Sequence, residues 1–230
     1  KLAALYNKSR CHEMLGDMKL QAEALNAVIA VQENNPYRET ALLTLGTLQL
    51  QQDKKADSIK AFEQLVQSST NNAILADASL RLAVLYQEEK KYDEAIAMFQ
   101  KAVSVPETTE ASRGIALVGV IQAMSAKGDY DGVIDYYNRH SETLPPGNVR
   151  PKMLLLVGHA YRMRKSYARA VEVYLIIEQY HKDTDEAFEA GYWKLYSFYL
   201  LNDKDLGEFA NGFIARYTPT KGDHEFLTLA

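Results

Sequence analysis

Cysteine is almost absent from this chain of 230 residues, because Cys11 is the only one. A single cysteine excludes an intrachain disulfide and every metal site built from cysteine pairs. The five histidines form no H-E-x-x-H motif, and the sequence has no glycine-rich phosphate loop. We therefore predict no catalytic residue, no metal site and no cofactor, and we expect that the chain is not an enzyme.

Basic residues are not in excess, and long apolar runs are missing. Lys and Arg number 26 against 30 Asp and Glu, which gives a net charge of −4. A nucleic-acid surface needs clustered basic residues, so we expect no nucleic-acid partner. No apolar run approaches the roughly eighteen residues that cross a bilayer, which predicts no direct membrane insertion.

Proline and glycine are also few, and they form no linker. The chain has 6 Pro and 12 Gly, whereas 47% of its residues are hydrophobic. That proportion is ordinary for a protein with a continuous apolar core. We therefore expect one domain over residues 1–230.

What the chain does contain is a repeat, and residues 79–107 are its best copy. Two spaced motifs occur there, an L-A-x2-Y in one predicted helix and an A-x3-F in the next. The matching residues are Leu82, Ala83 and Tyr86, then Ala95 and Phe99. In this spacing the segment resembles a hairpin of the tetratricopeptide repeat (TPR) family.

A second good copy follows near the C-terminal side, and weaker copies occupy the rest of the chain. Its landmarks are Leu154, Val157, Gly158 and Tyr161, then Tyr167, Ala170 and Tyr174. Equivalent positions divide the chain into repeats over residues 2–38, 39–75, 76–113, 114–150, 151–188 and 189–225. The resemblance implies an all-α fold, an α-solenoid of about six antiparallel helix hairpins with a period of 37–38 residues, wound as a right-handed superhelix.

The residue types of the motif have a physical reason. Small residues such as Gly46, Gly158 and Ala83 let paired helices approach, and large rings such as Phe62, Phe99 and Tyr174 fill the remaining space. One hairpin cannot bury such a surface alone, so each repeat depends on its neighbours.

The TPR resemblance also implies where a partner binds. In that family the first helix of each hairpin lines a concave groove through its second, fifth, ninth and twelfth positions. The groove mapped here has an apolar middle with Leu43, Leu80, Val84 and Val118. Its far end is cationic with a tryptophan, and Leu155 lies there as well. The partner-binding candidates are Tyr6, Arg10, Thr47, Gln87, Gln122, Lys152, His159, Arg162 and Trp193.

Each candidate has a second interpretation. The five apolar groove residues favour interhelix packing over ligand contact, and Trp193 is either a core anchor or a ligand platform. Lys152, His159 and Arg162 share one helical face, which suits an acidic peptide or a chain-end carboxylate, but also a solvated surface. The two-carboxylate clamp of chaperone-binding TPR proteins is not reproduced.

Three functions remain open. The first is a protein-interaction scaffold that binds a peptide or partner helix in the groove. The second is an assembly segment of a larger bacterial envelope protein that self-associates through its terminal repeats. The third is an enzyme or small-ligand binder that uses His159. The resemblance to bacterial envelope TPR proteins favours the periplasm or cell envelope over the cytoplasm, and the missing initial methionine predicts a longer parent protein.

Overall fold

The computed structural model describes residues 1–31, 34–222 and 224–229, and this part of the chain is helical without any strand. The helices are α1 (Leu2–Met14), α2 (Met18–Ile29), α3 (Arg38–Gln51), α4 (Lys55–Ser68), α5 (Asn72–Glu88), α6 (Tyr92–Ser104), α7 (Glu110–Lys127), α8 (Tyr130–His140), α9 (Val149–Met163), α10 (Tyr167–Tyr180), α11 (Asp185–Leu200), α12 (Leu206–Lys221) and α13 (Glu225–Leu229). A short 3-10 helix, Ser141–Thr143, follows α8. The all-α fold with helices in successive pairs confirms the predicted fold class.

The chain forms two compact units, Lys1–Gly119 and Val120–Ala230, and the boundary between them lies within α7. In the first unit α1 packs on α2, α3 on α4 and α5 on α6. In the second unit α9 packs on α10 and α11 on α12, and α8 also contacts α9. The single domain over residues 1–230 stays a prediction.

Every hairpin turn contains one residue in the left-handed region of φ. These residues are Gly16, Asp53, Lys90, Gly128, Lys165 and Asn202, at steps of 37, 37, 38, 37 and 37. Each turn also closes with the same pair of backbone hydrogen bonds; in the third, the Lys90 N–H donates to the Gln87 carbonyl and the Lys91 N–H to the Tyr86 carbonyl. This is the Schellman end of a helix, so one backbone device repeats with the period of the fold.

Two of the second helices, α2 and α8, begin at a side-chain cap directly after this turn. The carboxylate of Asp17 accepts from the Leu20 N–H, and that of Asp129 accepts from the Gly132 N–H. Such caps satisfy amide donors that the first turn of a helix leaves open. The short loops therefore follow from local chemistry.

Small residues on first helices receive large rings from second helices, as the sequence predicted. A Cβ added at Gly46 would lie 2.7 Å from the Phe62 ring, and one at Gly158 would lie 2.3 Å from the Tyr174 ring. Phe62 and Tyr174 are completely buried. The absence of a Cβ at these two glycines therefore sets the distance between the paired helices.

In the second unit, three helices form a compact group around the Tyr174 ring. Helices α9 and α11 contact each other, and both contact α10. Leu154, Ala170, Ile177 and Ala190 form the apolar core between them. The ammonium of Lys194 on α11 pairs with the carboxylate of Glu178 on α10, and both side chains are largely buried. This group holds the predicted site residues of α9 and α11.

Candidate functional site

Three of the predicted residues, His159, Arg162 and Trp193, meet on a surface formed by α9 and α11. Lys152, His159 and Arg162 lie on α9, and Trp193 lies on α11. Because α9 and α11 are in contact, His159 and Arg162, about one turn apart on α9, approach Trp193. We call the group of His159, Arg162, Glu189, Trp193 and Tyr196 the Arg162 cluster.

Arg162 and Trp193 form the centre of the Arg162 cluster. The guanidinium carbon of Arg162 lies 4.3 Å from the centroid of the Trp193 ring and 5.9 Å from that of Tyr196. A guanidinium over an indole face within about 6 Å is a favourable cation–π arrangement. The cation at this point is therefore held by aromatic rings.

Glu189 is a member of the cluster that sequence reasoning missed. The indole N–H of Trp193 donates to Glu189 Oε1 over 3.1 Å, and His159 Nε2 lies 3.9 Å from the same oxygen. Glu189 precedes Trp193 by four residues, which places both on one helical face. That spacing could have identified Glu189 once Trp193 had been chosen.

His159 lies against aromatic rings and is mostly buried. The centre of its imidazole ring lies 5.3 Å from that of Trp193 and 6.0 Å from that of Tyr174. Both ring pairs are in an edge-to-face arrangement. Burial, with the nearby Arg162 charge as a second cause, lowers the pKa of His159 to about 4. At neutral pH His159 is therefore uncharged, so the positive charge expected at this end of the groove comes from Arg162 and the exposed Lys152.

Two buried polar atoms in the cluster have no hydrogen-bond partner within the described part of the chain. These atoms are His159 Nε2 and Arg162 Nε. Buried polar atoms in folded proteins are almost always paired. The Arg162 cluster therefore contains two polar atoms that the described part of the chain leaves unsatisfied.

The remaining candidates lie outside the Arg162 cluster. Tyr6 stacks on Tyr37 with ring centres 4.8 Å apart, and Arg10 is exposed on α1. Gln87 is half-buried at the end of α5, and Gln122 is exposed on α7. None of these four has a contact that indicates a ligand.

Thr47 lines a separate cleft of about 440 Å³ in the first unit. The polar side chains around this cleft include Glu13, Gln21 and Arg81. The Thr47 hydroxyl donates to the Leu43 carbonyl of its own helix over 2.9 Å. The cleft is thus polar and open. Unlike the Arg162 cluster, it has no aromatic ring in its lining.

The apolar groove positions divide by burial. Val118 and Leu155 are buried, and Leu43 packs against the core of the first unit. Leu80 is half-buried, whereas Val84 is 45% exposed. The buried positions serve interhelix packing, which is the interpretation that the sequence favoured.

Two further features bear on the kind of site. Across residues 1–31, 34–222 and 224–229, no group of three or more His, Cys, Asp or Glu side chains could hold a metal ion. In the same residues, every helix is too short or too polar to span a bilayer.

Comparison with known proteins identifies the repeat. A family profile described as a tetratricopeptide repeat-like domain matches residues 2–144, which is more than half of the chain. No curated protein matches the chain.

Several solved structures share the fold at low sequence identity. The C-terminal part of a TPR repeat-containing protein from Cytophaga hutchinsonii matches with a TM-score of 0.67 and 14% identity, over 99% of this chain and 88% of that one. PilW, described as a widely conserved type IV pilus biogenesis factor, matches with a TM-score of 0.61 and 12% identity, over 99% and 97%. Pseudomonas aeruginosa PilF matches with a TM-score of 0.58 and 12% identity, over 99% and 95%.

Proposed function

We propose that this chain, which belongs to the family of tetratricopeptide repeat-like domains, is a non-catalytic scaffold that binds a segment of another protein on its α9/α11 surface. Repeat proteins of this type commonly use such extended surfaces for binding. The observation that supports the site is the Arg162 guanidinium 4.3 Å from the Trp193 ring. Trp, Tyr and Arg are the residues most enriched at the energetic centres of protein interfaces.

The polar groups of the Arg162 cluster define the chemistry of the segment. Arg162 offers a cation whose guanidinium carbon lies over the Trp193 ring. Glu189 already accepts the Trp193 N–H. A carboxylate or a backbone carbonyl of the partner would pair with Arg162, while an apolar side chain would cover Trp193 and Tyr196.

An extended peptide and a partner helix both meet this description, and both present side chains to a groove at regular intervals. The exposed ammonium of Lys152 lies ten residues before Arg162, which is about 15 Å along α9 at 1.5 Å per residue. A segment with two acidic groups at that separation would reach both Lys152 and Arg162. We therefore propose an acidic segment with at least one aromatic or aliphatic side chain.

The experiment is selection of binding peptides from a random library on the purified chain, followed by calorimetric titration of the best peptide. We expect Trp193→Ala and Arg162→Met to weaken binding at least tenfold. Arg216→Met is the matched control, because its guanidinium also lies over a ring, Tyr217 at 5.1 Å, but on α12. Unchanged binding in both cluster variants would rule out the site.

A role in envelope assembly is the second proposal, because the end of the second unit exposes aromatic and aliphatic side chains. Tyr199 is 60% exposed and Leu229 is 68% exposed, and both line a cavity of about 330 Å³ with Tyr196. PilW, which shares the fold, is described as a type IV pilus biogenesis factor, and a periplasmic or cell-envelope setting is part of this proposal. In this proposal, the terminal repeats pack against another copy of the chain.

Light scattering separates the two proposals. Self-association predicts a mass that rises with protein concentration and falls back to one chain in Tyr199→Asp, where a charge enters the exposed patch. A monomer at every concentration would contradict the assembly proposal and leave the scaffold proposal standing.

A further inference from the structure

A second cavity lies in the second unit on another face of α9, away from the Arg162 cluster. It has a volume of about 530 Å³, which is within the usual range for small-molecule sites. Residues of α8, α9 and α10 line it, and we call it the outer cavity: Tyr137, Asn138, Arg150, Leu154, Val157, Tyr161, Val173, Ile176, Tyr180 and His181.

The outer cavity is long because its lining follows the helix axes. On α9 the lining residues are spaced by four, three and four positions from Arg150 to Tyr161, which is one face of a helix. At 1.5 Å per residue, these eleven steps cover about 16 Å. A groove of this kind accommodates a linear body better than a compact one.

The two ends of the outer cavity differ in polarity. Helices α9 and α10 are antiparallel, with Gly158 against Tyr174, so Val157 lies between the levels of Val173 and Ile176, and Arg150 lies close to the level of Tyr180 and His181. The apolar Val157 and Val173 therefore lie nearer the hairpin turn, where Tyr161 ends the lining on α9. Arg150, Tyr180 and His181 are together at the other end, where α8 also ends.

Arg150 is held in place at this polar end. Its Nη2 donates to the Ser141 carbonyl of the 3-10 helix over 2.6 Å. A guanidinium has five N–H donors, and this hydrogen bond uses one of them. The position is thus set by the protein, while the charge faces a cavity that has no carboxylate in its lining.

We propose that the outer cavity binds a linear amphiphile with one anionic head group, of the fatty-acid type. The carboxylate would pair with Arg150, and the acyl chain would lie against Val173 and Ile176, above the buried Leu154 and Val157. Burying an acyl chain on apolar side chains is favourable by the hydrophobic effect, and a charge-assisted hydrogen bond to the head would fix its direction.

The test is calorimetric titration of the full chain with dodecanoate below its micelle concentration. We expect saturable binding of one molecule per chain. Dodecyltrimethylammonium has the same tail with the opposite charge, and we expect it to bind at least tenfold more weakly. No saturable binding of dodecanoate, or equal affinity for both amphiphiles, would overturn the proposal.

Two variants locate the site. Ile176→Trp places a large ring in the cavity, and Tyr180→Asp places a negative charge near Arg150; we expect each to weaken dodecanoate binding at least tenfold. Both residues are exposed, at 41% and 69%, so both variants should fold. Leu175→Trp is the matched control, because Leu175 is 45% exposed but does not line the cavity.

Equal loss in the control, or no loss in Ile176→Trp and Tyr180→Asp, would place the amphiphile elsewhere and overturn the assignment. Binding through the outer cavity is independent of the peptide surface, so Trp193→Ala should retain full dodecanoate affinity. Loss of dodecanoate binding in Trp193→Ala would also contradict the assignment.

Discussion

The guanidinium carbon of Arg162 lies 4.3 Å from the centroid of the Trp193 ring. These residues belong to different hairpins and are 31 positions apart in the sequence, so their contact depends on the packing of α9 against α11. The same contact links the stability of the second unit to the proposed binding surface.

The Arg162–Trp193 contact should be measurable as a coupling energy. We expect Arg162→Met and Trp193→Leu to be coupled by about 1 kcal/mol in a double-mutant cycle, because a partly desolvated cation–π pair contributes on that order. Urea unfolding followed by circular dichroism measures it. Additive effects of the two substitutions would show that the contact contributes nothing.

Trp193 also reports on the cluster directly, since it is the only tryptophan. We expect Arg162→Met to change the Trp193 emission of the folded protein, whereas Arg216→Met leaves it unaltered. Identical spectra for all three proteins would contradict the close approach of the guanidinium.

The buried imidazole of His159 predicts a pH dependence of stability. Its pKa is about 4 in the folded protein and 6.5 in its ordinary state, with burial as the main cause. Between those values the unfolded chain binds more protons, so the free energy of unfolding decreases as the pH falls from 6.5 to 4. The loss would be on the order of 3 kcal/mol at most.

Urea unfolding at pH 7.5, 6 and 4.5, values on both sides of the ordinary pKa, measures this loss. His159→Phe should reduce the slope, because the ring then has no proton to bind. His181→Gln is the control and should retain it. If the free energy of unfolding of His159→Phe still fell with pH as steeply as that of the wild type, other groups would be responsible for the loss.

The close packing at Gly158 predicts an unusual sensitivity to a single methyl group. A Cβ there would come within 2.3 Å of the Tyr174 ring, which is completely buried, so Gly158→Ala should lower the free energy of unfolding by about 1–3 kcal/mol. Gly212→Ala in α12 meets open space and should raise it by about 0.5–1 kcal/mol. Chemical unfolding of both variants gives the signs, and a neutral Gly158→Ala would contradict the tight contact.

Adding glycine at one hairpin turn and removing it at an equivalent turn should change the melting temperature in opposite directions. Lys90 has a φ of 61°, in the left-handed region that costs a side-chain-bearing residue about 1 kcal/mol. Lys90→Gly should therefore raise the melting temperature slightly. Gly128→Ala, at the equivalent turn with a φ of 86°, should lower it. Thermal unfolding measures both, and a lower melting temperature for Lys90→Gly would contradict this account.

Much of the fold could be predicted because its causes are local. The pairs Gly46 with Phe62 and Gly158 with Tyr174 are each sixteen residues apart within one hairpin. The repeat motif contains both the small residue and the large ring of each pair. Left-handed Lys90 and Lys165 have no such signal, because lysine does not favour that conformation. Only their equivalence to Gly16 and Gly128 in the repeat would have indicated it.

The candidate site was predicted in part. The groove mapping selected His159, Arg162 and Trp193, which the structure brings together, and it missed Glu189 and Tyr196. The mapping also treated His159 as a source of positive charge, whereas burial keeps it neutral at pH 7. Burial depends on the rings that surround the imidazole, and those belong to neighbouring helices.

The sequence by itself determined the helix pairs, their period and the small-to-large contacts within each hairpin, because hydrophobic spacing and backbone chemistry act over short stretches of chain. Only the tertiary structure decided which side chains meet across α9 and α11, and that His159 is neutral there while Arg162 is charged. It also decided that an elongated outer cavity lies beside α9. The physical reason is that contact and desolvation between hairpins depend on helix rotation and distance, which the repeat motif does not record.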